Sequence, residues 1–446
     1  MAEILQRLND LVWGIPALVG ILGVGLYLTV RTGFVQVRLF LPAFRRFVGM
    51  FSGGNKSSFR SLCTALGATV GTGNLVGVAG AICLGGPGSI FWMWVCGFLG
   101  MATKYAEAVL AVHYRTVEAG QAAGGPMYYI SRGMGKKWLW LAEVYSFFGI
   151  FAAFGVGNAT QVNAVVTAFR PYMGKTWELL PGLGIALLVG LVLSGGGKRI
   201  GALAEKLVPF AASGYILLCF LVLFLRFDRI GQAFSDILRG ALDPKAVTGG
   251  MLGSVFLCLR VGCARGVFTN EAGMGTAAMA HGSAQVEHPA EQGMMGIMEV
   301  FLDTILICTL TALVILCSGV PIPYGQDAGG TLAAAAFRQV CGNWTEVFLA
   351  GAMACFAFAT VLGWGLYGLR CAGYLFGAGG EKWFVLLQMG AAMLGAWLDT
   401  GVIWVLAETV NGLMAIPNLI ALLALSGDVI YLTNDRKKGR KVTENS

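Results

Sequence analysis

Residues Ser61 to Leu84 read SLCTALGATVGTGNLVGVAGAICL, a stretch apolar enough to enter a bilayer but interrupted by Gly67, Gly71, Gly73 and Gly77, with Thr69, Thr72 and Asn74 between them. Residues of these types favour a broken helix. At membrane depth, unwound backbone is tolerated only where protein or a water-filled cavity supplies its partners, so the break is a place to hold a ligand. Discontinuous helices in secondary transporters turn half-helix N-termini towards anionic substrate groups and freed carbonyls towards a cation. Thr72, Gly73 and Asn74, where the second half-helix would begin, are thus candidate contacts for a carboxylate. A helix N-terminus carries about half a positive charge there, and Gly71 and Gly73 permit a close approach. A second interrupted stretch, RGVFTNEAGMG from Arg265 to Gly275, would offer unwound carbonyls around Phe268 and Thr269 to an ammonium. The two stretches together suit a small zwitterion, whose charges need partners in a low-dielectric site.

The chain that must position them is a membrane protein by composition. Of its 446 residues 57% are hydrophobic and only 12% charged, against roughly 25% charged in a soluble domain. Its 66 glycines fit a densely packed all-α bundle in which small residues let helices approach closely. The net charge of +8 is no signature of nucleic-acid binding, because Lys and Arg lie in short loops between apolar runs without interleaved aromatics. Most of the eleven Cys fall inside apolar runs without zinc-like spacing, and free Cys packs as a small hydrophobe.

Runs of about 20 apolar residues give eleven expected spans: near 11 to 30, 60 to 84, 89 to 112, 138 to 168, 179 to 195, 205 to 225, 247 to 280, 292 to 318, 344 to 376, 383 to 398 and 401 to 427. The first has the length of a retained span rather than of a signal peptide. Basic residues concentrate on alternate connections: Arg31 to Arg60, Arg115 to Lys137, Lys198 to Lys206, Arg370 with Lys382, and the tail from Arg436 to Lys441. The positive-inside rule makes these cytoplasmic, which puts the N-terminus outside and the C-terminus inside in a multi-pass plasma (inner) membrane protein. The expected organisation is an N-terminal extra span and basic loop (1–56), a first five-helix repeat (57–227), an amphipathic connection on the outer surface (228–246), a second five-helix repeat (247–428) and a cytoplasmic tail (429–446). Each repeat opens on a broken span. Five being odd, the second repeat is inverted relative to the first, and paired interruptions in such halves point to a transport site between them.

GATVGTGN, followed by GVAGAICLGGPGSIFWMWVCGFLGMATKYAEAVLAVHYR from Gly77 to Arg115, closely resembles the alanine or glycine:cation symporter family. RGVFTNEAGMG, FLDTILICTLTALVI and FATVLGWGLYG are similar to its later signatures. The resemblance implies the leucine-transporter-type fold, five plus five helices with one helix before them, and symport of a small neutral amino acid with sodium or with protons. It also places Gln161, in the fourth span, beside the substrate carboxylate. By likeness to the usual sodium site of that fold, Gly67, Val70 and Ala357 would supply backbone oxygens and Thr360 a hydroxyl. Such a cage of hard oxygens holds sodium without a dedicated carboxylate. Val361 stands where the fold often has a second hydroxyl. Trp364, one turn beyond Thr360, would close with Phe268 over the substrate side chain, favouring glycine or alanine over larger residues.

Other readings of these residues are weaker. A plain helix-packing face leaves the adjacent Thr and Asn and the second break unexplained. Gly71, Gly73 and Gly77 miss GxGxxG by one residue, and GGNKSS at Gly53 to Ser58 lacks the glycine that a phosphate loop needs before its lysine. Neither HExxH nor GxSxG is present, so an intramembrane enzyme is disfavoured. A channel for a small solute, the main alternative, would gather its filter from repeated loops, whereas these two breaks differ. Lys104 and Glu107, three apart on one span, are expected to pair structurally. Arg260, Arg265 and Glu271 are expected to form gate or structural salt bridges around the second break. Asp303, an intramembrane carboxylate, is a functional candidate by default, either proton-linked or neutral and hydrogen-bonded.

Overall fold

The computed structural model describes residues 7, 9, 11–118, 121–169, 180–250, 254–326, 329–397 and 401–437. In order these form α1 (Ile15–Arg31), α2 (Phe40–Phe51), α3 (Lys56–Thr69), α4 (Val78–Gly85), α5 (Ser89–His113), the strands β1 (Thr116–Glu118) and β2 (Gln121–Ala123), α6 (Leu139–Phe154), α7 (Thr160–Phe169), α8 (Leu180–Leu193) and α9 (Gly196–Leu225). The second half continues with α10 (Ile230–Leu242), α11 (Val255–Asn270), α12 (Thr276–His281), α13 (Pro289–Val300), α14 (Thr309–Ser318), α15 (Gly329–Cys341), α16 (Trp344–Trp397), α17 (Gly401–Ala424) and α18 (Ser426–Lys437). The expectation of an all-α chain meets one small departure. β1 and β2 pair antiparallel, Thr116 opposite Ala123, in the connection that follows α5.

Among the described residues, five helical stretches are long and apolar enough to cross a membrane, and two further helix pairs, bent by 52° and 58°, would each add one. α16 holds 54 residues, about 81 Å at 1.5 Å per residue, far beyond a hydrocarbon core of about 30 Å. It divides at Gly377, whose φ of 67° and ψ of −162° are not helical, into two arms that correspond to the two apolar runs read there in the sequence. α10 is amphipathic: Ala233, Ile237 and Ala241 are buried while Gln232 and Arg239 are exposed. α18 extends helix into residues read from the sequence as tail, because Val429 and Leu432 are buried. Lys438, Arg440 and Lys441 of the basic tail lie outside the described residues.

Small residues bring the site-bearing helices together. A Cβ on Gly363 of α16 would stand 2.7 Å from the Ala68 Cβ and 3.0 Å from the Ala68 nitrogen, so α16 and α3 pack backbone to backbone. The eleven cysteines are free, nine of them buried and Cys341 and Cys355 partly so. Among the described residues the helices widen into π-type turns at four places, Gly73–Gly77, Ile130–Met134, Gly155–Ala159 and Phe301–Cys308. Such turns are frequent at functional sites, and three of the four carry Gly73 and Asn74, Gly157, and Asp303.

Candidate functional site

The first break lies where the glycines foretell it. α3 starts on an Asn55 cap, whose side chain accepts from the Ser58 N–H, and ends at Thr69. Val70 is extended, with φ −74° and ψ 97°, and the wide turn from Gly73 then leads into α4, the two halves being bent by 52°. Asn74 stabilises the bend from within, because its Oδ1 accepts the Gly71 N–H at 2.9 Å.

The second break is shorter than its sequence suggests. Helix α11 continues through Asn270, so Phe268 and Thr269 belong to its last turn and not to unwound chain. The break is the segment 271–275, in which Glu271 (φ 53°), Gly273 (φ 94°) and Gly275 (φ 76°) take left-handed backbone, an uncommon conformation outside glycine. Nevertheless, the last turn leaves carbonyls free. In a continuing helix the N–H groups of Ala272 and Gly273 would bond the carbonyls four residues earlier, those of Phe268 and Thr269. Here Ala272 N–H donates to Asn270 Oδ1 at 2.9 Å and Gly273 N–H to Glu107 Oε1 at 2.9 Å.

Side chains from several helices satisfy the rest of this segment. Glu107 Oε1 also accepts the Gly275 N–H (3.1 Å) and the Asn418 Nδ2–H (2.8 Å). Asn418 Nδ2 donates to the Gly273 carbonyl at 2.8 Å, Tyr129 donates its hydroxyl to Asn418 Oδ1, and Tyr145 donates to the Met274 carbonyl at 3.1 Å. The broken backbone at this depth therefore has partners from α5, α6 and α17.

The two breaks face one another. A Cβ on Gly73 would lie 3.5 Å from Thr269 Cγ2 and 3.7 Å from Phe268 Cδ1. The Thr72 hydroxyl donates to Gln161 Oε1 at 3.2 Å, and Gln161 Nε2 donates to the Val156 carbonyl at 3.1 Å. Thr72, Gly73, Gln161, Phe268 and Thr269 thus come together. Asn74 turns away from this group: its Nδ2 donates to Asp303 Oδ1 at 2.7 Å. Asp303 accepts in addition from the Thr304 hydroxyl at 2.8 Å and is fully buried.

Among the four residues assigned to sodium, Thr360 meets the first break directly, its hydroxyl donating to the Gly67 carbonyl at 3.1 Å. A Cβ on Gly71 would stand 2.8 Å from that same hydroxyl, so the glycine leaves room for it. Val70 and Ala357 are both buried, and Ala357 precedes Thr360 by one helical turn on the same face. Trp364 is fully buried. Its indole N–H donates to Glu271 Oε1 at 3.1 Å, and its Cβ lies 2.3 Å from where a Cβ on Gly157 would be.

Phe268 lines a cleft of about 200 Å3 together with Arg260, Arg265 and Trp13. Glu271 departs from the expected salt bridge, since its carboxylate receives the Trp364 indole and the Thr276 hydroxyl (2.6 Å). Glu271 caps α11 in left-handed backbone, and its side chain is held by Thr276 of α12 and Trp364 of α16.

The expected pairing of Lys104 with Glu107 is not formed. Lys104 Nζ bonds Glu299 Oε1 at 3.0 Å, and Glu299 Oε2 meets His281 Nε2 at 2.8 Å, all three residues being buried. Spacing of three on a helix allowed the pair. α13, packed on the Lys104 side, supplied a carboxylate, while Glu107 was drawn to the unbonded N–H groups of the break. Gln292 extends the chain, with Nε2 2.7 Å from His281 Nδ1 and Oε1 accepting the Ser58 hydroxyl at 2.6 Å. The sequence reading passed over Glu299, Asn270, Asn418 and Tyr145. Glu299 carried a usable signal, because it sits one turn before Asp303 inside the same apolar run and is equally an intramembrane carboxylate.

A sequence model of the sodium:alanine symporter family matches residues 1–446. The chain is 42% identical over 449 residues to the sodium/alanine symporter AgcS of Methanococcus maripaludis, covering 98% of each chain. It is 35% identical over 454 residues to the probable sodium/glutamine symporter GlnT of Bacillus subtilis, covering 99% of this chain and 92% of that one. Among solved structures it resembles MhsT, crystallised in complex with L-phenylalanine, with a TM-score of 0.55 over 84% of this chain and 98% of the other at 12% identity. That last likeness is one of fold.

Proposed function

For a chain that belongs to the sodium:alanine symporter family, and is accordingly a membrane transporter of amino acids and not an enzyme, we propose import of a small neutral amino acid, alanine or glycine, coupled to sodium. Transport would proceed by alternating access around the two breaks. The observation that carries this reading is the approach of Gly73 to Thr269 and Phe268, 3.5 and 3.7 Å from the place a Cβ would take. A glycine on one break set against the last turn of the other, whose Phe268 and Thr269 carbonyls have lost their helical N–H partners, suits a solute with a carboxylate and an ammonium on one carbon.

In this proposal the half-helix beginning at Thr72 and Gly73 takes the carboxylate through its amides, with the Gln161 amide beside it. Asn74 contributes through Gly71, whose N–H it holds, and orders the turn from behind. The carbonyls of Phe268 and Thr269 accept the ammonium. Sodium sits among the oxygens of Gly67, Val70, Ala357 and Thr360, where the Thr360 hydroxyl would exchange its bond to the Gly67 carbonyl for a shared cation. Trp364, held by Glu271, bounds the substrate side chain and limits its size, since overfilling a packed pocket costs about 1–3 kcal/mol.

In this reading the chain makes eleven crossings: the five long apolar helices with α16 divided at Gly377, the bent pairs α3–α4 and α17–α18, the shorter α1 and α8, and α11 with α12 counted as one broken span. With an N-terminus outside and a C-terminus inside, the basic connections fall on the cytoplasmic face. Moving one cation inward through about 100 mV releases roughly 2.3 kcal/mol, near fifty-fold accumulation before any sodium gradient. Proton coupling is the second reading, favoured by one observation: buried Asp303 bonds the Asn74 amide of the first break at 2.7 Å.

Uptake of radiolabelled alanine into proteoliposomes tests both. Under the sodium reading, an inward sodium gradient drives concentrative uptake and a proton gradient alone does not. Uptake driven equally by protons without sodium would replace that reading with the second, and mere equilibration under either gradient would refute symport.

A further inference from the structure

Away from the two breaks, a groove of about 600 Å3 opens between the turn that starts α9 and the two arms of α16. One wall is apolar, made by Leu193 of α8, Leu366 and Leu369 of the first arm, and Val385 and Leu386 of the second. Leu386 is 58% exposed and Trp383 beside it 68%. In a membrane protein, exposed apolar side chains of this kind face acyl chains, so the wall runs out into lipid.

The other end of the groove is cationic. Arg370 lines it and is only 7% exposed. Its Nη2 donates to the Ala122 carbonyl at 3.3 Å, but its Nε–H is buried without an acceptor, an arrangement that is costly unless something fills it. Lys382 stands exposed at the rim. Gly196 and Gly197, the first residues of the 30-residue helix α9, complete this end. A Cβ on Gly197 would lie 3.3 Å from Leu366 Cδ1 and 3.5 Å from Arg370 Nη2, so its absence keeps space open beside the guanidinium. Glu381 also lines the groove and offsets one of the two positive side chains. What remains is one net positive charge and a helix N-terminus, itself favourable to anions. That balance fits a singly charged phosphodiester better than dianionic free phosphate.

We propose that this groove binds the headgroup of an anionic phospholipid. Its phosphodiester oxygens lie against Arg370, Lys382 and the first amides of α9, and its acyl chains follow Leu193, Val385 and Leu386. Basic pockets between membrane helices take lipid headgroups in this way, and the planar guanidinium is suited to paired phosphate oxygens.

The full chain, purified in nanodiscs, provides the test, with thermal unfolding and retained lipid in native mass spectra as readouts. Three preparations are compared: phosphatidylcholine alone, phosphatidylcholine with phosphatidylglycerol, and phosphatidylcholine with inorganic phosphate. Phosphatidylglycerol is expected to raise the unfolding temperature and to be retained over phosphatidylcholine. Arg370→Gln should abolish that preference, and Lys382→Gln, an exposed position that leaves folding intact, should weaken it roughly fivefold. A phosphatidylglycerol effect no larger than that of phosphatidylcholine would overturn the proposal. So would an equal effect from inorganic phosphate, or an undiminished preference in Lys382→Gln. None of these readouts depends on transport, so the result stands apart from the substrate and the coupling ion.

Discussion

Glu107 and Gly273 are 166 residues apart in the chain, yet the carboxylate of one accepts the backbone N–H of the other at 2.9 Å. The same oxygen holds the Gly275 N–H at 3.1 Å. By capturing the N–H that would otherwise close on Thr269, Glu107 keeps the second break open from a helix that does not itself break.

Replacing Glu107 separates this role from general packing. Glu107→Ala leaves two buried backbone N–H groups and one of the two Asn418 amide hydrogens without an acceptor, at about 1–3 kcal/mol for each, and is expected to lower the unfolding temperature and to abolish alanine uptake. Glu107→Gln keeps one acceptor oxygen for the same donors and should retain measurable uptake. Identical behaviour of the two variants in a paired uptake and unfolding assay would exclude the backbone-holding role.

At the first break, Thr360→Ala removes the hydroxyl that touches Gly67. The expected outcome is a rise of about tenfold in the sodium concentration for half-maximal uptake, equivalent to about 1.4 kcal/mol, with little change in alanine affinity at saturating sodium. Gly71→Ala, whose Cβ would stand 2.8 Å from that hydroxyl, should shift sodium dependence in the same direction. Parallel loss of sodium and alanine affinity in both variants would argue against a sodium role for Thr360.

Gly73 offers a graded steric test. A single Cβ there meets Thr269 and Phe268 at 3.5 to 3.7 Å, ordinary contact distances, so Gly73→Ala should insert normally and bind alanine weakly. Gly73→Val adds two methyl groups to the same space and is expected to eliminate binding while the protein still reaches the membrane. Near-normal uptake by Gly73→Val would remove the carboxylate contact from this position.

Substrate size should respond to the Glu271–Trp364 bond. Trp364→Phe loses the indole donor together with ring volume, and is expected to raise leucine uptake relative to alanine. Glu271→Gln retains an acceptor for the indole and should leave the ratio close to that of the unmodified protein. Competition of leucine against labelled alanine measures it. An unchanged ratio in Trp364→Phe would mean that the ring does not bound the substrate.

The buried ion pair makes a prediction about stability alone. Lys104→Met leaves Glu299 with only His281 as a partner and should destabilise the protein by about 3–5 kcal/mol. The double variant Lys104→Met with Glu299→Gln should recover part of that loss, because no uncompensated carboxylate remains. Comparison of unfolding temperatures in one detergent tests the order.

By itself the sequence determined the membrane class, the apolar runs and the position of the first break, because these depend on local composition. Glycines concentrated in an otherwise apolar stretch weaken a helix wherever the chain is placed, and a 20-residue apolar run finds its solvent without reference to its neighbours. The amphipathic α10 was legible for the same reason.

Partner choice was decided by the tertiary structure. Lys104 had a plausible acceptor three residues away in Glu107, and nothing in that spacing says that Glu299 of α13 would be closer or that Glu107 would be claimed by the backbone of another helix. Nor does RGVFTNEAGMG reveal that α11 runs on through Asn270, since its end is set by where Asn270 and Glu107 intercept two N–H groups. Local sequence specifies which groups need partners. In a bundle whose backbones nearly touch, only the packing of distant helices specifies which partners they receive.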